Sequence, residues 1–177
     1  MRICVVGCGA VGSLFAANLA TLEDVEVWAY DVDEAHVGAI NANGLRLVGA
    51  GEVTGRLRAT TDAAELPACE LGIVATKAMH AQAAIRATAH AFADGAVASV
   101  MNGVGNEETI AQHARRVIRG TTFPAGKILQ PGVVQWDVRG ETTLAPFEPS
   151  PAATAEVERL ADACTRGGMP ARAVADA

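Results

Sequence analysis

Three glycines near the start of the chain carry the first chemistry that can be read from it. In Arg2-Ile3-Cys4-Val5-Val6-Gly7-Cys8-Gly9-Ala10-Val11-Gly12, an apolar β-branched run breaks at Gly7 and a helical pattern begins at Val11. Gly7, Gly9 and Gly12 stand in the register G-x-G-x-x-G at that break. That register suits a pyrophosphate. The first glycine turns tightly, the second lets phosphates reach the backbone, and the third lets the helix pack on the strand. The helix then aims its free N–H groups and positive dipole end at the phosphates. Asp31 follows about 20 residues on, at the end of the next strand pattern. A carboxylate there accepts hydrogen bonds from an adenosine ribose and repels a 2′-phosphate, which favours NAD(H). The competing reading of Asp31 is a cap or turn residue in Asp31-Val32-Asp33. Gly7, Cys8, Gly9, Ala10, Val11, Gly12 and Asp31 are therefore the expected cofactor-binding residues at this end of the chain.

Two more residues end strand patterns, where ligands bind in open α/β sheets. Lys77 follows the buried run Leu71-Gly72-Ile73-Val74-Ala75 and can hold a carboxylate or carboxamide as a point charge. Its alternative is a solvated loop lysine, although Lys77 and Lys127 are the only lysines among 14 basic residues. Asn102 ends the Val97 to Met101 run, and its amide suits a nicotinamide or a substrate oxygen. Its alternative is an Asn-Gly turn. His36, His80, His90 and His113 share no metal-ligand spacing and read as surface or helix-face residues, so no metal is expected. The acidic residues form no evident catalytic pair. The residues thus outline a cofactor site without a general acid or base.

These side chains need elements to hold them, and the chain supplies an alternation of strand and helix patterns. The first helix is expected from Val11 to Leu22, a strand from Val25 to Tyr30, and a helix from Glu34 to Asn41 capped by Asp33. Leu45 to Val48 and Val53 to Ala59 read as a hairpin-like excursion around Gly49-Ala50-Gly51. The alternation resumes with the Leu71 strand, a helix from His80 to Ala93, the Val97 strand, a helix from Glu107 to Arg115, and a strand from Val117 to Thr122. That order implies a Rossmann-like, doubly wound, mostly parallel sheet. Short runs at 127–129, 133–138 and 142–145 look like antiparallel strands added at one sheet edge. A proline-rich break from Pro146 to Pro151, a helix from Thr154 to Arg166 and a terminal strand from Met169 to Val174 complete the reading. The whole of 1–177 is expected to form one dinucleotide-binding domain, with a parallel core over about 1–125 and edge strands and the last helix over about 126–177.

Composition narrows the classes further. Half of the 177 residues are apolar, and the net charge of −6 comes without a basic run, which argues against nucleic acid. No apolar stretch reaches membrane-spanning length, and no signal-peptide pattern precedes the first strand, so a cytoplasmic protein away from membranes is expected. The four cysteines, Cys4, Cys8, Cys69 and Cys164, form no C-x-x-C pair and read as small buried thiols.

Taken together, these residues resemble the N-terminal domain of the ketopantoate reductase (2-dehydropantoate 2-reductase) family. The resemblance rests on Gly7-Cys8-Gly9-Ala10-Val11-Gly12, Val74-Ala75-Thr76-Lys77-Ala78, Met101-Asn102-Gly103-Val104-Gly105-Asn106-Glu107-Glu108, Gly120-Thr121-Thr122 and Gly132-Val133-Val134. It implies cofactor contacts at Lys77, Asn102 and Gly126, with Asn102 also near the substrate. It also implies hydride transfer from NADP(H) to the keto carbon of ketopantoate, giving pantoate for coenzyme A synthesis. Asp31 stands where NADPH-using members carry a neutral or basic residue, which turns the expectation toward NAD(H). The family's general-acid lysine and a carboxylate belong to a helical C-terminal domain, so no catalytic residue is expected within these 177.

Two other readings stay open on the sequence. One is an NAD-dependent 2-hydroxyacid dehydrogenase of the same family, acting on another branched or aromatic keto acid. The other is a non-catalytic dinucleotide-binding or sensing module. An isolated half would also expose an apolar face where the helical domain docks, and such a face favours a homodimer.

Overall fold

The computed structural model describes residues 1–148 and 150–175. Pro149, inside the proline-rich break, and the last two residues, Asp176 and Ala177, lie outside the described residues. The elements in chain order are β1 (Arg2–Val6), α1 (Ala10–Leu19), β2 (Glu26–Tyr30), α2 (Glu34–Asn43), β3 (Leu45–Gly49), β4 (Val53–Gly55) and β5 (Arg58–Thr60). There follow β6 (Leu71–Val74), α3 (Ala78–Thr88), β7 (Ala96–Ser99), α4 (Asn106–Ala111), β8 (Val117–Thr122), β9 (Ala125–Gln130) and β10 (Val133–Val138). β11 (Thr142–Pro146), α5 (Thr154–Arg166) and β12 (Ala171–Ala173) end the series.

The continuous apolar runs form the central strands because both faces of the sheet are covered. β1, β6 and β7 are buried almost throughout, and they lie side by side in parallel. The main sheet has the order β12-β11-β8-β7-β6-β1-β2-β5. Its six strands from β5 to β8 are parallel, β11 adds antiparallel to β8, and β12 lies parallel to β11. Strand order reverses between β1 and β6, and an open α/β sheet leaves a crevice at the carboxyl ends of the strands there. Gly7 and Thr76 stand at that point.

β9 and β10 depart from the expected place. They do not extend the main sheet but join β3 and β4 in a second sheet of order β4-β3-β10-β9. The reason lies in α1. Every residue from Gly12 to Leu19 is buried, so this helix has no solvent face and needs cover on both sides. The main sheet covers one side, and the second sheet covers the other with Leu45, Leu47, Val134 and Trp136. A separate apolar cluster on the opposite face of the main sheet gathers Phe92 from beyond α3, Ile110 of α4, and Phe147.

Smaller differences have local causes. α3 starts at Ala78 and gives way to a 3-10 turn at Ala89–Phe92, and α4 ends at Ala111. At the outer edge of the main sheet, the Asn41 side chain of α2 pairs with both backbone groups of Ala59 in β5. Its Nδ2 donates to the carbonyl at 2.7 Å, and its Oδ1 accepts from the N–H at 2.9 Å.

The second sheet sits close enough on α1 to be tested at Gly55. A Cβ there would lie 2.5 Å from the Ala17 carbonyl oxygen and 2.7 Å from its Cα, both fixed backbone atoms. Gly55→Ala is expected to cost about 1–3 kcal/mol and to lower the urea midpoint. An unchanged midpoint would show that the sheet is not seated this tightly on the helix.

Candidate functional site

The glycine loop is shaped by three different constraints. Gly7 adopts φ +89°, and a Cβ on it would stand 2.6 Å from Thr76 Cγ2. Its N–H donates to the Tyr30 carbonyl at 2.8 Å, which ties the end of β1 to the end of β2. Gly12 is excluded from being anything larger, since its Cβ would lie only 1.9 Å from the Gly7 carbonyl oxygen. Gly9 is the opposite case: nothing lies within 4 Å of a Cβ built on it. The space over Gly9 is therefore open, and the missing side chain leaves the backbone approachable.

No side chain caps α1 at Gly9. The N–H groups of its first turn consequently lack acceptors within the helix, as at any helix start. Gly9, Ala10 and Val11 line a cleft of about 730 Å³ that extends over the carboxyl ends of β1, β2, β6 and β7. The open glycine, the free N–H groups and the dipole end together fit an anionic group such as a pyrophosphate. Cys8 contributes backbone only, because its thiol is fully buried and burial pushes it up to about 12.

Asp31 borders the same cleft. Its Oδ2 accepts the Cys8 N–H at 2.6 Å, and its Oδ1 accepts the Asp33 N–H at 3.0 Å. Each oxygen has a further acceptor site to offer, since an ionised carboxylate has about four in all. The turn role and the open acceptor role therefore coexist in one residue. Asp33 caps α2 through its own side chain, accepting from the His36 N–H at 3.0 Å.

At the other end of the cleft stand Lys77 and Asn102, both exposed. Lys77 is the N-cap residue of α3, and among the described residues it makes no ion pair. Asn102 is held by a device that sequence reasoning passed over. The buried Asn106 side chain donates from Nδ2 to the Asn102 carbonyl at 3.1 Å and to the Gly103 carbonyl at 3.2 Å. Gly103 and Gly105, with φ of +108° and +91°, let the chain fold back over that amide. The position of Asn106 directly after a glycine and at a helix start was the available signal.

A second cleft of about 500 Å³ adjoins the first and shares Met101 and Asn102 with it. Thr121, Thr122, Arg119 and Glu107 line it, and its rim carries the exposed Val104 and Phe123. Asn102 thus stands where the two clefts meet.

Gly126 is not brought to this site. It lies in β9, where a Cβ would come within 2.4 Å of the Gln135 carbonyl oxygen, so its small size serves the pairing with β10. Among the described residues it lines neither cleft. His36, read as a surface or helix-face residue, lies on the inward face of α2 and is only 2% exposed. No group of three or more His, Cys, Asp or Glu among the described residues is placed to hold a metal ion. No helix among them is long and apolar enough to cross a membrane.

The strand order, the reversal between β1 and β6 and the glycine loop at that reversal define a Rossmann-type doubly wound fold. The family model described as ketopantoate reductase PanE/ApbA matches residues 3–149, and the chain belongs to that family. A 2-dehydropantoate 2-reductase of Pyrococcus abyssi is 35% identical over 145 residues, covering 81% of this chain and 47% of that protein. Among solved structures, a PanE/ApbA family ketopantoate reductase of Ralstonia eutropha aligns with a TM-score of 0.84 and 27% identity, over 98% of this chain and 56% of its own. D-mandelate dehydrogenase with NADH and anilino(oxo)acetate aligns with a TM-score of 0.86 and 26% identity, over 98% and 57%. The chain therefore spans about half the length of the relatives it matches.

The buried thiols give a direct check on the loop. Burial also pushes Cys164 up to about 12, so Cys8 and Cys164 should resist iodoacetamide at about pH 8 in the native protein and react only after denaturation. Rapid native labelling of Cys8, read by peptide mass spectrometry, would contradict the closed packing beneath the glycine loop.

Proposed function

We propose that the chain is the dinucleotide-binding part of a reductase that transfers hydride from NADH to the keto carbon of a 2-keto acid, with 2-dehydropantoate as the leading substrate. The observation that carries this reading is the course of the main cleft. It leads from the Asp31 carboxylate, past the open Gly9 and the uncapped start of α1, to Lys77 and Asn102. Those groups follow the chemistry of a dinucleotide from ribose to phosphates to carboxamide. When bound, the nicotinamide supplies a hydride.

In this reading the Gly9, Ala10 and Val11 backbone holds the pyrophosphate, and the Asp31 oxygens hold the adenosine ribose hydroxyls. Lys77 offers a positive point charge toward phosphate or carboxylate oxygens. Asn102, its backbone carbonyl held by Asn106, orients the reacting end and offers a hydrogen bond from its side-chain amide to the substrate oxygen. The second cleft, beginning at Asn102, receives the keto acid, with Val104 and Phe123 as apolar walls for its side chain. The general acid that protonates the new hydroxyl comes, in this reading, from a helical half of the kind the family resemblance implies.

Preference for NADH over NADPH follows from Asp31. The backbone N–H groups of Cys8 and Asp33 pin its carboxylate, so it cannot swing away from a 2′-phosphate without losing both. Among the described residues lining the cleft, Lys77 is the one lysine or arginine, and it sits at the far end. The NADH complex of the similar D-mandelate dehydrogenase favours the same cofactor, and with it the reading as a 2-hydroxyacid dehydrogenase.

Fluorescence titration with NADH and NADPH tests this. NADH is expected to bind at least about tenfold more tightly, and Asp31→Ala to weaken NADH by about tenfold while leaving NADPH equal or improved. Tighter NADPH binding by the unmodified protein would overturn the assignment of Asp31. The same titration repeated with 2-dehydropantoate or with the aromatic keto acid 2-oxo-2-phenylacetate present decides between the two substrate readings: the keto acid that the second cleft accepts should tighten NADH binding.

A further inference from the structure

Beneath the glycine loop runs a buried chain of hydrogen bonds that begins far away in sequence. The Gly132 N–H, in the turn between β9 and β10, donates to His36 Nδ1 at 3.1 Å. An Nδ1 that accepts carries no proton, so the imidazole is neutral and its proton is on Nε2. Nε2 lies 3.3 Å from Ser13 Oγ, which leaves Nε2 donating and Oγ accepting. Ser13 Oγ in turn donates to the Cys8 carbonyl at 2.9 Å. Every donor has one acceptor, and Ser13 and His36 are both at least 98% buried.

The other side of the Cys8 peptide is held as well, because its N–H donates to Asp31. Cys8 is the residue between Gly7 and Gly9, so both of its backbone polar groups are fixed. One is fixed by a carboxylate bordering the cleft, the other by a relay that ends in the second sheet. A glycine loop has little intrinsic stiffness. Backbone held at both polar groups is preorganised for a ligand, and preorganisation appears as affinity.

We propose that His36 is a positioning residue for the dinucleotide loop, acting through Ser13 on the Cys8 carbonyl and linking the β9–β10 turn to the cofactor site. The proposal rests on the dinucleotide reading given above. It assigns His36 a task beyond filling the interior: the Nε2 arm serves the loop, and the Nδ1 arm serves the turn.

The two arms can be separated by substitution. His36→Gln places an amide near the Nε2 position and keeps a donor toward Ser13, while losing the Nδ1 acceptor. His36→Asn places an amide oxygen near the Nδ1 position and keeps the acceptor for Gly132, while losing the reach to Ser13. The experiment measures the NADH dissociation constant by fluorescence titration and the melting temperature without ligand, on the full chain, on both His36 variants, on Ser13→Ala and on the double variant Ser13→Ala, His36→Asn. His36→Asn should weaken NADH by about tenfold, and His36→Gln by no more than about twofold even though it melts lower. Ser13→Ala should weaken NADH as His36→Asn does, and the double variant should be no weaker than either. A role confined to interior packing predicts that affinity simply follows melting temperature, with His36→Gln the poorer binder, and that result would overturn the proposal. Equal affinity in all variants beside normal NADH binding by the unmodified chain would overturn it too, while leaving the dinucleotide reading intact. Failure of the unmodified chain to bind either NADH or NADPH would remove the dinucleotide reading and this inference with it.

Discussion

Of the glycines, Gly12 has the least room for a Cβ, which would run into the Gly7 carbonyl oxygen, and much else depends on that packing. A helix following a strand normally stands off by the width of its side chains. Here the first turn of α1 presses on the turn it has just left, with no room for even a methyl group. That closeness aims the helix start across the end of β1 and keeps Gly9 at the surface of the crevice. It also brings Ser13, one residue further on, within reach of the Cys8 carbonyl. Loop shape, open backbone and support from beneath all follow from one contact between two residues without side chains.

The same helix explains why the protein needs two sheets. An amphipathic helix can lie on one sheet and face water, as α5 does with Val157, Leu160 and Cys164 inward. α1 has no such polar face and is enclosed on both sides. The enclosing sheet is assembled from segments that are distant in the chain, β3 and β4 on one hand and β9 and β10 on the other. Trp136 anchors it, fully buried, with its indole N–H donating to the Val138 carbonyl at 2.8 Å and the Arg139 guanidinium 4.8 Å from its ring centre.

What could be read in advance was what is local. β8 and α5 fall on the residues their patterns indicate, and the glycine loop has the shape its spacing requires. β9 and β10 read correctly as strands, but their neighbours could not be read. Alternation shows that a strand has a buried face, not which sheet buries it. The all-round burial of α1 was the missing clue, since a helical pattern from Val11 to Leu22 does not say how many of the helix's faces are covered. His36 escaped for a related reason, because its partner Gly132 is 96 positions away. That Asp31, Lys77 and Asn102 border one cleft was legible because strand ends are predictable places. Gly126 was carried over by resemblance alone, and in the structure it meets a backbone carbonyl of β10 instead of the cleft.

The pairing of Asn41 with Ala59 bears on how this protein behaves in a crowd. The outer strand of a sheet usually offers a row of idle donors and acceptors to any passing extended chain. At β5 the exposed row is short, and one amide side chain already occupies its central pair. The amide imitates the next strand while being unable to propagate one. A strand adding at this flank would first have to displace that amide, an obstacle that needs none of the lysines edge strands often use.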